Sequence, residues 1–135
     1  MKDIGIDISK VAVGAVAGWW LGLNPIVQLL IILMGLDIVT GILGAFVSKT
    51  IDSGVSFHGI CRKAMILMLV LAASLLSTYA SALGMAWQVP LGEAVAGFFV
   101  ANELLSIVEN AGIAGVPIPA VLKDALSQLS KKGQT

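Results

Sequence analysis

An all-α membrane protein, with about four transmembrane helices and a short C-terminal amphipathic interfacial helix, is the fold class this sequence predicts. Three observations predict it. Of 135 residues, 58% are hydrophobic and only 12% charged, about half the charged share of an ordinary soluble domain. The apolar residues gather into runs of bilayer length, since about twenty residues rise roughly 30 Å as a helix. Asn-Pro, Gly and Pro, or a knot of cations, part these runs, as the turns of a polytopic chain require. The size fits a single polytopic domain over residues 1–135, with no room for a soluble catalytic module. Formal net charge is +0. No basic block exists to hold a nucleic-acid backbone, so no nucleic-acid partner is expected. A lone cysteine, Cys61, excludes an internal disulfide.

The first span is expected over residues 5–23. Ahead of its apolar part, Lys2, Asp3, Asp7 and Lys10 hold the chain at the cytoplasmic interface. The early aspartates and Trp19-Trp20 argue against a cleaved signal peptide. Gly14, Gly18 and Gly22 stand four apart, a spacing that lets backbones approach closely where lipid removes the hydrophobic drive. Together with Gly41 and Gly44 of the next span they are the expected helix-packing and oligomerisation residues. Packing inside one subunit is the plainer reading of the same glycines.

Asn24-Pro25 ends that segment, and the second span follows over residues 26–47. Asp37 lies near its middle, where a charge costs roughly 2.5–3.5 kcal/mol on insertion scales. Thr40, Gly41 and Gly44 share its helical face at i+3, i+4 and i+7. A lone lipid-facing helix has no use for a polar, smooth side; a helix against partners or lining water does. Ser48 to Lys63 is expected as a loop, placed in the cytoplasm by Lys49, Arg62 and Lys63.

The third span, residues 64–83, carries Ser74, Ser77, Thr78 and Ser81, hydroxyls that commonly bond back to their own helix. Gly84 to Gly92 is a short outer turn without Lys or Arg, with Trp87 as its interfacial anchor. The fourth span, residues 91–110, gathers Asn102, Glu103, Ser106, Glu109 and Asn110 on one broad face. Gly112, Gly115, Pro117 and Pro119 stop it. An interfacial helix is expected over about residues 119–132. Val121, Leu122, Ala125, Leu126 and Leu129 form its apolar side, opposite Lys123, Asp124, Lys131 and Lys132. Four crossings put both termini and the Lys49–Lys63 loop inside the cell, with the Asn24 and Trp87 turns outside.

In hydrocarbon a carboxylate must be neutralised, paired or reached by water. Glu109, and with it Glu103, has cations within reach, so Lys49, Arg62, Lys63 and Glu109 form an expected cytoplasmic charge cluster. Asp37 lies too deep for those cations, and a hydrogen bond to Asn102 or a water-filled lumen suits it better. Asp37, Thr40, Asn102, Glu103 and Ser106 are therefore the expected pore-facing residues. No catalytic residue, metal or cofactor is expected. A membrane aspartyl protease needs a second aspartate where only Glu103 stands. His58 and Cys61 lack the further ligands of a zinc site, and no glycine run follows a strand to cradle phosphate.

Leu36-Asp37-Ile38 with Thr40-Gly41, then Lys49, Gly59-Ile60 and Arg62-Lys63, form one part of a familiar pattern. The run from Asn102-Glu103 through Ser106-Ile107 and Glu109-Asn110 to Gly115 and Pro117-Ile118-Pro119 forms the stronger part. Together, over roughly residues 26–130, they resemble the phage-lysis and toxin-secretion holins of Gram-positive bacteria and their phages. The chain departs from that pattern at Ser77-Thr78, where family members often carry an acidic residue. The resemblance implies a non-enzymatic protein of the bacterial cytoplasmic membrane, whose partners are copies of itself and the bilayer. It implies pores, opened at a set time, through which an endolysin or a toxin lacking a signal sequence leaves the cytoplasm as cargo. Two other readings stay open: a non-conducting membrane scaffold subunit, and a narrow ion or proton channel with Asp37 and Glu103 as relay groups.

Overall fold

The computed structural model describes residues 8–50, 53–86 and 89–132, and their regular structure is entirely helical. In chain order these are α1 (Ile8–Gly22), α2 (Pro25–Ser48), α3 (Ser53–Tyr79), α4 (Leu91–Ile113) and α5 (Ala120–Lys132). Three stretches are long and apolar enough to cross a membrane: α2, Phe57–Tyr79 of α3, and α4. At 15 residues, α1 rises only roughly 22 Å, short of a hydrocarbon core of about 30 Å. Three long apolar helices and one shorter one thus stand where four spans are expected. Residues 5–7 of the first expected span, with Lys2 and Asp3 before it, lie outside the described residues.

Local chemistry sets the ends of the helices. Asn24 caps α2: its side-chain oxygen accepts from the Ile26 N–H at 3.1 Å, and Pro25 fills the first position, where no N–H is needed. The same Asn24 amide donates to Glu93 Oε1 at 2.9 Å, tying the α1–α2 turn to the first turn of α4. Lys49 closes α2 in the left-handed conformation, φ 57°. Gly115, at φ 85°, does the same for α4, and the Val116 N–H returns to the Ala111 carbonyl at 2.9 Å. That backbone geometry is open to glycine at no steric cost.

The third helix corrects the sequence reading at both ends. It begins at Ser53, so His58, Arg62 and Lys63 are helical rather than part of a Ser48–Lys63 loop. Polar residues at a membrane-entry turn are as compatible with helix as with loop, and nothing between Val55 and Lys63 breaks a helix except a tolerated Gly59. At the other end α3 stops at Tyr79 instead of residue 83, and the chain turns through Gly84 at φ 74°. Trp87 lies outside the described residues, as do the side chains of Leu126, Leu129, Lys131 and Lys132 on α5.

Helix α4 is central, packing along α2 and against α3, with α5 folded onto its end. The buried core is small: Leu30 and Met34 from α2, Ile66 and Val70 from α3, and Ala96 from α4. Most large apolar side chains face outward instead, among them Leu36, Leu43, Met68 and Leu71, as lipid-facing surfaces do. In such a setting close van der Waals contact and polar bonds hold helices together. At Gly92 an added Cβ would lie 2.0 Å from Ser74 Oγ and 3.0 Å from its Cα. At Gly44 it would lie 3.2 Å from the Asn110 carbonyl oxygen. Gly41 and Gly44 are thus used where α2 meets α4 within one subunit. Ser77 completes α4 from across the bundle. Its hydroxyl donates to the Val89 carbonyl at 3.0 Å and accepts from the Leu91 N–H at 2.9 Å, at a helix start where Pro90 offers no side-chain cap. Ser74 and Thr78 bond back to the carbonyls of Val70 and Ser74.

Helix α1 buries no residue. A cross-link from Gln28 Nε2 to the Trp20 carbonyl, 2.7 Å, holds its end. Around Gly14, Gly18 and Gly22 an added Cβ would meet nothing within 4 Å.

Candidate functional site, a charged cluster between apolar helices

The three long helices converge on one ammonium group. Lys63 Nζ of α3 lies 2.8 Å from Asp37 Oδ2 of α2 and also donates to Glu103 Oε2 of α4. The second oxygen of Asp37 accepts from Asn110 Nδ2 at 2.9 Å. That amide also reaches the Asp37 carbonyl at 3.4 Å and Thr40 Oγ1 at 3.3 Å. Thr40 in turn donates to the Asp37 carbonyl at 3.1 Å. Side-chain exposure is 17% for Asp37, 13% for Lys63 and 7% for Glu103. Among the described residues no buried side-chain nitrogen or oxygen lacks a partner. The cluster sits near the middle of α2, a helix long and apolar enough to cross a membrane, and between such helices a desolvated charge is tolerable only with its hydrogen bonds filled.

Sequence spacing builds this arrangement. Asp37 and Thr40 lie one turn apart on α2, and Glu103 and Asn110 two turns apart on α4. Gly41 leaves room for the amide: an added Cβ there would lie 3.5 Å from Asn110 Nδ2. Lys63 falls at i−3 and i−7 from the core residues Ile66 and Val70, so it shares their inward face. Arg62, rotated about 100° from it, is exposed.

Three expectations are corrected here. Asp37 has a cation partner within its own subunit, because Lys63 points into the bundle instead of toward the cytoplasm. The amide that meets Asp37 is that of Asn110, two turns beyond Asn102. The structure therefore does not gather Lys49, Arg62, Lys63 and Glu109 into one cluster. Lys63 is drawn inward, while Lys49, Arg62 and Glu109 are exposed. Asn102 and Ser106 are half-buried on α4. Lys63 as the hub is what sequence reasoning missed. Its spacing to Ile66 and Val70 is the signal that marks it, once α3 is known to start before it.

Formally the cluster holds two carboxylates against one ammonium, with the Asn110 amide as a neutral fourth member. It can hold three helices together, and it can be wetted if they part.

Three apolar helices of spanning length, locked by a buried ion cluster and followed by an amphipathic helix, define a small helical membrane protein. Residues 15–131, which include every member of the cluster, match the bacteriophage holin family, and the chain belongs to that family. It is 36% identical over 131 residues to an uncharacterized protein of Clostridium perfringens, covering 96% of this chain and 93% of the other. It is 36% identical over 118 residues to an uncharacterized protein of Halalkalibacterium halodurans, covering 87% and 85%. To a protein of Bacillus phage phi105 named probable holin it is 35% identical over 99 residues, covering 73% and 70%. No solved structure matches the chain. Membership points to a non-enzymatic membrane protein.

Proposed function

We propose that this protein is a holin that self-assembles in the bacterial cytoplasmic membrane into pores, which release a cell-wall hydrolase or a signal-less toxin. The family match along nearly the whole chain carries this reading, and the ion cluster gives it a physical means. In the single subunit Lys63, Asp37, Glu103 and Asn110 satisfy one another, and the subunit is closed. When copies gather and α2 and α4 part, the same groups exchange those bonds for water. Asp37, Thr40, Asn102, Glu103 and Ser106 then face a lumen. Two such arrangements of one polar face make a two-state element.

The end bearing Lys49 and Arg62 faces the cytoplasm, and α5 lies on that surface with its apolar side toward lipid. Val121, 81% exposed in the subunit, is then covered by the membrane. Helix α1 makes the fourth crossing and keeps both termini inside. Its open glycine face is one contact between copies. Gly18→Leu is accordingly expected to shorten the ladder of crosslinked oligomers without reducing the amount of protein in the membrane; a normal ladder would remove α1 from the contact. Asp37→Asn, which keeps the shape but discharges one carboxylate, is expected to shift the onset of permeabilisation while leaving insertion intact.

Inducible expression in bacteria beside a cytoplasmic murein hydrolase tests the function. The expected result is a lag, an abrupt halt of respiration, and lysis that needs the hydrolase. Depolarisation without release of protein would make it a narrow channel, and neither effect would make it a scaffold.

A further inference from the structure

Lys63 is committed to Asp37 and Glu103, so it does not serve the other charges at this end of the bundle. Arg62 on α3 and Glu109 on α4 are both exposed, and among the described residues neither has an ion pair or hydrogen bond. They lie at one end of the bundle, because α3 and α4 run in opposite directions. Arg62 comes nine residues after the start of α3, and Glu109 four residues before the end of α4. At 1.5 Å per residue they lie roughly 14 Å and 6 Å inside that end, a difference that the long arginine side chain can span. Apolar surface surrounds each: Phe57 and Ile60 are 70% and 54% exposed near Arg62, and Ile113 and Val116 are 57% and 52% exposed near Glu109. Lys123 of α5 lines the same groove as Glu109 without forming an ion pair with it.

We propose that Arg62 of one copy pairs with Glu109 of the neighbouring copy, making the α3–α4 surface at this end a subunit–subunit contact of the assembly. A guanidinium and a carboxylate match as a two-pronged pair. Both escape a lipid-facing position by meeting, and the exposed apolar rim closes around them. A contact between unlike residues is repeated by every copy that joins. The proposal rests on the assembly reading above and adds a second contact surface beside that of α1.

Charge reversal with mixing tests it, read as crosslinked species in membranes and as onset of lysis, at matched membrane abundance. Arg62→Glu and Glu109→Arg, each expressed alone, are expected to lose association on the order of tenfold and to delay lysis. Expressed together in one cell they are expected to regain both, since each chain then offers the other its complement. Lys123→Gln is expected to behave as wild type. Rescue by the double reversal in one chain, without rescue by mixing, would place the pair inside a subunit and overturn the proposal. So would single reversals with normal ladders, or a Lys123→Gln defect equal to that of Glu109→Arg. If a reversed chain fails to accumulate, Arg62→Gln and Glu109→Gln replace the pair, and normal ladders from both would again overturn it. A wild-type chain that forms no oligomer and no lesion would instead defeat the assembly reading itself.

Discussion

Lys63→Met is expected to destabilise the subunit by roughly 3–5 kcal/mol, the usual effect of removing one partner from a buried ion pair. The lysine is 13% exposed at its side chain and is the cation partner of both Asp37 and Glu103. Without it two carboxylates face each other between apolar helices, and only the Asn110 amide remains to serve Asp37. Water must then enter or the helices must part. In cells the variant is expected to accumulate poorly or to permeabilise early. The triple variant Lys63→Met, Asp37→Asn, Glu103→Gln carries no charge in the cluster, and replacing a whole buried ionic group by neutral residues is often tolerated. Thermal unfolding in detergent is therefore expected to show a large loss for the single variant and recovery in the triple. Equal loss in both would mean that the lysine acts through its shape rather than its charge.

Gly92→Val is expected to weaken the α3–α4 crossing, with a loss of about 1–3 kcal/mol from overpacking. An added Cβ would lie 2.0 Å from the hydroxyl oxygen of Ser74, 2.9 Å from its Cβ and 3.0 Å from its Cα. Rotating the serine relieves only the first of these contacts, so the helices themselves must separate. Ser77 bonds the start of α4 one turn away, and that capping is lost in the same movement. Gly92→Ala is expected to do the same more mildly, with part of the loss restored by Ser74→Gly. Gly35→Ala is the control, since an added Cβ there meets nothing within 4 Å, and helix propensity alone then favours alanine. Unfolding temperatures of these variants would separate a close crossing from a general intolerance of side chains.

Much of the fold was legible because hydropathy is a long-range signal. A run of about twenty apolar residues between polar turns reads as a helix of spanning length whatever it packs against. Asn24-Pro25 and Gly115 announced helix ends through backbone chemistry that acts within a few residues. Less legible was anything depending on which way one residue faces. Arg62 and Lys63 are adjacent cations and look alike in a charge count, yet one is exposed and the other is the hub of the bundle. Only the register of α3 separates them, and that register was hidden while its first turns were read as loop. Asn110 was on the recognised polar face, but the relative stagger of α2 and α4 decided that it meets Asp37. Gly41 and Gly44 look in the sequence like Gly14, Gly18 and Gly22. The difference lies in what stands opposite: Asn110 and Ile113 for the former, and nothing for the latter.

We propose that the polar face of α2 and α4 is closed in the subunit and wet in the assembly, and thiol labelling at Thr40 tests this most directly. Thr40→Cys is made in a Cys61→Ser chain, because Cys61 is itself exposed, and is probed with a charged, membrane-impermeant thiol reagent. Little labelling is expected before the onset of lysis and strong labelling after it, while Leu43→Cys on the outward face of α2 labels at neither time. A Thr40→Cys thiol that stays unlabelled throughout lysis would contradict the lumen, and with it the opening of the Asp37–Lys63–Glu103 cluster to water.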